Sequence, residues 1–169
     1  MVEQITFQTI FQFLQTVSIM VGITYYLMIL NNQQKNQQAA FETRQAQLFM
    51  QIHSQWNDRA FIKGFYEILN IWEWKDNEDF WAKYGQVANE DAFITMTEVI
   101  WYFEGVGQLL RDKLIDIRLV DAMYSDRVVR LWEKSYPIVM GLREQYRNPD
   151  YYSNYEYLYK ELKKRQVKP

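Results

Sequence analysis

The sequence contains no cysteine, and its 169 residues include only one histidine, six glycines and three prolines. Without cysteine the chain cannot form disulfides, use a thiolate nucleophile or bind a metal through sulfur. The single histidine, His53, excludes two-histidine mechanisms and the His-Glu-x-x-His zinc motif. Because glycine and proline interrupt helices, their scarcity favours long helices over the many turns of a sandwich or barrel.

The charge balance gives no electrostatic basis for binding nucleic acid. Acidic residues outnumber basic ones by two, for a formal net charge of −2. Aromatic residues make up 17% of the chain, with 6 Trp and 13 Tyr. Such large side chains supply enough apolar surface for a core, so we expect a folded domain. From the charge balance, we expect no nucleic-acid partner.

One long segment near the N-terminus has no charged residue, from Gln4 to Gln34. Its apolar part, residues 5–30, would rise about 39 Å as a helix, which is enough to cross a ~30 Å hydrocarbon core. A cleaved signal peptide fits less well, since no basic residue precedes the run and no small-x-small site follows it. The sequence therefore predicts a single transmembrane helix, with a buried core helix as the alternative.

The charges that flank this segment predict its orientation. Only Glu3 precedes it, whereas Lys35 and Arg44 follow it. Basic residues remain on the cytoplasmic side of a membrane. We therefore expect a single-pass membrane location with the C-terminal domain in the cytoplasm.

A stripe of glutamines lies along the predicted span. Gln4, Gln8, Gln12 and Gln15 are spaced so that they share one helical face, which Gly22 continues. An amide in hydrocarbon needs a hydrogen-bond partner, and a small residue lets another helix approach. Gln8, Gln12, Gln15 and Gly22 thus predict an interaction face, for self-association or for other membrane subunits. In the alternative, the first two glutamines lie among headgroups and the other two are tolerated.

The rest of the chain is predicted to be helical throughout. We assign residues 1–34 to an N-terminal segment with the span, 35–57 to a helical stalk and 58–169 to an antiparallel helical bundle. The stalk continues the first helix to about residue 57. Later helices are predicted to start after Asp58, Asn89, Asp116 and Ser125 and at Ser153.

An acidic run at residues 76–79 is interpreted as a break between helices. It resembles a calcium loop only superficially, because its twelfth position is Val87 where a calcium loop needs glutamate. No metal or other cofactor is predicted, and no set of catalytic residues is recognised.

Glu104 and Arg143 are the best candidates for a polar pair in the bundle. Glu104 lies at the edge of an apolar stripe, and a buried carboxylate needs a cation. We predict a structural ion pair between the two, with Arg111 as the second choice of cation. The functional alternative is a carboxylate of perturbed pKa in a pocket.

Three further features have a structural and a functional interpretation. His53 is expected to be a packing or surface residue rather than a catalyst. Four tryptophans are expected in the core, with a partner-binding patch as the alternative; these are Trp72, Trp74, Trp81 and Trp101. The basic C-terminal segment is expected to be a solvated helix face rather than a lipid contact.

The segment 101–147 resembles the family catalogued as domain of unknown function 4760. The similarity lies in an aromatic-Phe-Glu-Gly step at residues 102–105, Leu-Ile-Asp at 114–116, Trp132 with Pro137, and Leu-Arg-Glu at 142–144. The resemblance implies an N-terminal membrane helix joined to a helical domain. It implies no activity, because the family has no established function.

The sequence thus predicts a membrane-anchored helical interaction or scaffold protein, of which an accessory subunit of a larger membrane complex is one form. Two alternatives remain open. One is a membrane-tethered signalling or sensor protein, which a sustained heptad pattern would favour. The other is an enzyme with a carboxylate-based site in the bundle.

Overall fold

The structure is a computed structural model that describes residues 7–166, and this part of the chain is helical with no strand. The predicted all-α fold is therefore confirmed. The six helices are α1 (Phe7–Trp56), α2 (Arg59–Asn70), α3 (Asn77–Tyr84), α4 (Glu90–Arg111), α5 (Ile117–Tyr146) and α6 (Ser153–Gln166).

The chain divides into two compact units, Met1–Arg44 and Gln45–Pro169. In the first unit, the described residues belong to α1, and nearly all of them are exposed. The boundary falls within the segment 35–57 that was predicted to be a stalk. Phe49, Ile52 and Trp56, at the end of α1, are buried in the core of the second unit.

Side-chain caps explain where the helices of the second unit begin. Asp58 accepts a hydrogen bond from the Phe61 amide, and Asn89 accepts one from the Ala92 amide. Asp116 caps α5 in the same way. Each of these side chains satisfies one of the amides that a helix leaves unpaired at its start. These three predicted helix starts are confirmed.

Helix α3 was not predicted, because the acidic run was interpreted as a break. The run instead starts a helix: Asp76 is its N-cap and accepts a hydrogen bond from the Asp79 amide at 2.9 Å. Asp79 pairs with Lys83 one turn later at 2.8 Å. Acidic residues in the first turn complement the helix dipole. The helix is only eight residues long, and it is held by burial of Phe80.

Helix α5 is continuous where two helices were predicted. Ser125 was expected to start a new helix, but the buried positions run through it as Val120, Tyr124, Val128 and Leu131. This spacing keeps one apolar face in the core, so no break is needed. The predicted end at Asn148-Pro149 is confirmed, since the C-cap Arg147 adopts a left-handed conformation with φ of 50°.

Helix α6 packs against both α4 and α5. Its apolar side, formed by Tyr155, Leu158 and Leu162, is fully buried. The backbones of α4 and α6 meet at Gly107, where an added Cβ would lie only 2.1 Å from the Asn154 carbonyl oxygen. Only glycine allows this close approach.

Candidate functional site

The predicted interaction face on α1 is exposed along its described length. Gln8, Gln12, Gln15 and Gly22 are all exposed, and Gln4 lies outside the described residues. In the part of the chain that the structure describes, no side-chain hydrogen bond is formed by the three glutamines. An added Cβ at Gly22 would meet nothing within 4 Å. The face therefore offers unpaired amides and a small residue.

The hydroxyl side chains of the same segment behave differently. Thr16, Ser18 and Thr24 each donate to the carbonyl oxygen four residues earlier, at 2.8–2.9 Å. Such bonds satisfy a hydroxyl inside its own helix. Unlike these hydroxyls, the side-chain amides of Gln8, Gln12 and Gln15 have no partner within this helix.

Glu104 binds the start of α6. Its carboxylate accepts hydrogen bonds from the Tyr155 amide at 2.7 Å, from the Asn154 amide at 3.3 Å and from the Asn154 side chain at 2.9 Å. A carboxylate at a helix N-terminus satisfies unpaired amides and complements the helix dipole. Glu104 thus caps α6 from a neighbouring helix.

Arg143 holds the same region from α5. Its guanidinium donates to the Tyr151 carbonyl at 2.9 Å and pairs with Glu156 at 2.7 Å. Both side chains of this pair are largely buried, with exposed fractions of 16% and 24%. Burial raises the pKa of the Glu156 carboxyl, but the hydrogen bonds from Lys160 and Arg143 together lower it by more. The pKa of Glu156 therefore lies below its ordinary value.

The predicted ion pair between Glu104 and Arg143 is therefore not formed. Among the described residues, Glu104 pairs with neither Arg143 nor Arg111. The prediction assumed that a carboxylate at the core edge needs a cation, whereas the amides at the α6 N-terminus serve in its place. Both candidate residues instead contact the first residues of α6 and the turn before them.

His53 contacts Tyr124 across the core edge. The distance from its Nδ1 to the tyrosine hydroxyl is 2.5 Å, and its ring stacks on Phe49. These contacts fit the predicted packing role. The histidine joins the end of α1 to α5 within the second unit.

Three of the four tryptophans are partly buried in aromatic contacts. Trp72 stacks on Tyr84 with ring centroids 4.7 Å apart, and Trp74 packs edge-on against Phe80. Trp81 lies 5.7 Å from Phe93. The fourth, Trp101, is 62% exposed. The core interpretation thus holds for three, and Trp101 is left at the surface.

Trp101 stands at the rim of an aromatic cavity of about 210 Å3. Its indole N–H donates to the Tyr152 hydroxyl at 3.0 Å, which fixes the exposed ring. Tyr152 has a left-handed backbone with φ of 57°, unusual for a bulky residue. Seven aromatic side chains line the cavity together with aliphatic ones; the aromatic residues are Phe80, Trp81, Phe93, Trp101, Tyr146, Tyr151 and Tyr152.

Two grooves adjoin this cavity at Trp101. Asp58 and Glu98 line one of them, and Glu104 and Asp150 line the other. No lysine or arginine is among the described residues that line the cavity or either groove. The surroundings of Trp101 are therefore aromatic and negatively charged.

This cavity was not predicted from the sequence. Its aromatic residues come from three helices and the turn before α6, so no local pattern connects them. One signal was present: Tyr151 and Tyr152 directly follow the helix-ending Asn148-Pro149. Two large aromatic side chains in a turn indicate a surface that is packed or used for binding.

The basic C-terminal residues are engaged within the chain. Lys163 pairs with Glu133 at 2.6 Å, and Arg165 pairs with Asp121 at 2.7 Å. Lys164 pairs with Glu161 on the same helix. Lys168 lies outside the described residues. These contacts dock α6 on α5 and agree with a helix face rather than a free basic patch.

These features define an all-helical protein with one N-terminal helix long and apolar enough to cross a membrane. The chain belongs to the family described as Domain of unknown function (DUF4760), whose family model matches residues 12–162. No curated protein and no solved structure matches the chain. Within the described residues, no group of three or more His, Asp or Glu side chains is arranged to hold a metal ion.

Proposed function

We propose that the N-terminal part of α1 crosses a bilayer once, and that the protein is a membrane-anchored helical interaction protein. The observation that carries this proposal is the exposure of the apolar segment. An 18-residue window of α1 is strongly apolar, and none of it is buried within the chain. A soluble protein rarely exposes so large an apolar surface, because the hydrophobic effect drives it from water.

The hydrogen bonds of this segment support a hydrocarbon environment. The hydroxyl groups of Thr16, Ser18 and Thr24 are satisfied by their own helix, as an apolar solvent requires. The amides of Gln12 and Gln15 have no such partner, and leaving them unpaired in lipid is costly. A second helix that carries polar groups on its facing side would satisfy them.

The spacing of the face supports helix association. Gln8, Gln12, Gln15, Ile19 and Gly22 follow the alternating three- and four-residue steps of helices that pack with a left-handed crossing. The partner is a second copy of this helix or a subunit of a larger membrane complex. By the positive-inside rule, residues after Lys35 lie on the cytoplasmic side.

The first test is membrane retention. Full-length protein should stay in the membrane after carbonate washing, whereas residues 41–169 alone should appear in the soluble fraction. Release of the full-length chain by carbonate would contradict the span.

The second test is association through the glutamine face. Replacing both Gln12 and Gln15 with leucine removes interhelical hydrogen bonds of about 0.6 kcal/mol each, so association should weaken by roughly 10-fold. Sedimentation of the detergent-solubilised protein measures this change. The matched control replaces Thr16 and Thr24 with valine, because their hydroxyls already bond within α1. Equal association of both variants would leave the glutamines without this role.

A further inference from the structure

We infer that the aromatic cavity at Trp101 binds a small organic cation that carries a methylated ammonium group. The cavity lies entirely within the second unit, so this inference does not depend on the proposed membrane span. It rests on the aromatic walls, on the charges around the mouth, and on the size of the cavity.

The walls are formed by aromatic residues from several elements of the fold. Tyr146 and Tyr151 stack with ring centroids 5.5 Å apart, and Tyr151 meets Tyr152 edge-on at 4.5 Å. Trp81 and Phe93, which also line the cavity, pack against each other. An aromatic face carries partial negative charge and attracts a cation within about 6 Å of its centre. Several rings around one space are the means by which proteins bind quaternary ammonium groups.

No cation within residues 7–166 lies over the rings that line the cavity. The cation–π contacts of the described residues involve Arg111, Arg127 and Lys134, which lie over Tyr157, Trp56 and Trp74. None of those three rings lines the cavity. Arg143, which contacts the backbone of Tyr151, is neutralised by Glu156. The cavity rings are therefore available to a cation from outside.

Both indole N–H groups of the cavity and its one threonine hydroxyl donate hydrogen bonds within the protein. Trp101 donates to Tyr152, Trp81 donates to Asn77, and Thr97 donates to a carbonyl of its own helix. The Tyr152 hydroxyl is protonated at neutral pH, since the ordinary pKa of tyrosine is about 10 and burial raises the pKa of Tyr152 further. A ligand that needs many hydrogen bonds is thus a poor match. The methyl groups of a methylated ammonium group form no conventional hydrogen bonds.

Two carboxylates that form no ion pair within the described residues lie beside the mouth of the cavity. Glu98 lies in one groove beside Trp101 and Asp150 in the other, and both residues are exposed. Neither carboxylate forms an ion pair within the described part of the chain. Their charge attracts a cation and repels an anion. They favour a free cation over a headgroup that also carries a phosphate.

The volume limits the size of the ligand. At about 210 Å3, the cavity is smaller than the roughly 300–1,000 Å3 typical of sites for drug-sized molecules. It suits a compact group such as a trimethylammonium head.

The experiment measures binding of choline and tetramethylammonium to the full-length protein in maltoside micelles by isothermal titration calorimetry. Both cations should bind saturably, whereas 3,3-dimethyl-1-butanol, the neutral isostere of choline, should bind at least 10-fold more weakly. Phosphocholine should also bind more weakly than choline. Equal binding of the neutral isostere would overturn the inference, as would preference for phosphocholine or no saturable binding of either cation.

Variants locate the site. Trp101→Leu should weaken cation binding by about 10-fold, and Trp101→Phe, which keeps a ring, should retain most of it. Because Trp101 is mostly exposed, neither change should unfold the protein. The control Tyr66→Leu removes an exposed aromatic ring outside the cavity and should leave binding unchanged. If Trp101→Leu and Tyr66→Leu bind the cations alike, the cavity is not the site.

Discussion

Replacing Gly107 with alanine tests the close contact between α4 and the start of α6. An alanine Cβ at this position would lie 2.1 Å from the Asn154 carbonyl oxygen and 2.5 Å from its carbonyl carbon. Both atoms belong to the backbone, so no side-chain rotation can relieve the clash. Helix α6 must therefore move away from α4.

The change in the free energy of unfolding has three contributions, two unfavourable and one favourable. Overpacking of this kind costs about 1–3 kcal/mol. Moving α6 also lengthens the hydrogen bonds that Glu104 accepts from its first amides, each worth about 1.5–3 kcal/mol for a charged acceptor. Alanine regains about 1 kcal/mol through its higher helix propensity. We expect a net loss of roughly 2–4 kcal/mol, given that only part of the hydrogen bonding is lost.

The assay is thermal unfolding of the full-length protein in maltoside micelles, followed by tryptophan fluorescence. For a domain of about 120 residues, each kcal/mol shifts Tm by about 4 °C, so Gly107→Ala should lower Tm by roughly 8–16 °C. Hydrogen exchange should increase most at residues 151–156. This local signal separates displacement of α6 from a general loss of stability.

Gly105 provides a matched control two residues earlier on the same helix. It is exposed, and an added Cβ there would meet nothing within 4 Å. Gly105→Ala should therefore gain up to about 1 kcal/mol from helix propensity and raise Tm by a few degrees. If both alanine variants melt above the parent, the backbones of α4 and α6 do not approach each other closely at Gly107.

Three further predictions concern the charges around α6, each checked by thermal unfolding of the full-length protein. Glu104→Gln should lower the free energy of unfolding by about 2–3 kcal/mol, because it removes the charge that caps α6. The control Glu98→Gln changes an exposed residue on the same helix and should alter the free energy of unfolding by no more than about 0.5 kcal/mol. Arg143→Met should also destabilise, and the double variant with Glu104→Gln should lose less than the sum, because both residues hold the same segment; additive losses would contradict this. The pKa of Glu156 is lowered from its ordinary 4.5, so its contribution is present above that pH and is lost as the pH falls through the lower folded value. Glu156→Gln should therefore flatten the decline of Tm below about pH 4.5, and an unchanged acid profile would contradict this role.

Local patterns in the sequence determined most of the helical structure. Asp58, Asn89 and Asp116 precede apolar stripes, and a short polar side chain in that place can cap only the helix that follows it. The uncharged run before Lys35 likewise defines an apolar segment by composition alone. Where local signals were ambiguous, prediction failed: the run at 76–79 suits either a turn or a helix start, and burial of Phe80 decided for the helix.

The partners of the polar residues were decided by the tertiary structure. Glu104 was predicted to need a cation, but the approach of α6 at Gly107 brings backbone amides to it instead. The cavity at Trp101 likewise combines side chains from α3, α4, α5 and the turn before α6. Periodicity along one helix shows which side faces the core, because that depends on neighbouring residues. It does not show which atoms of another helix arrive there, since that depends on how separate helices pack.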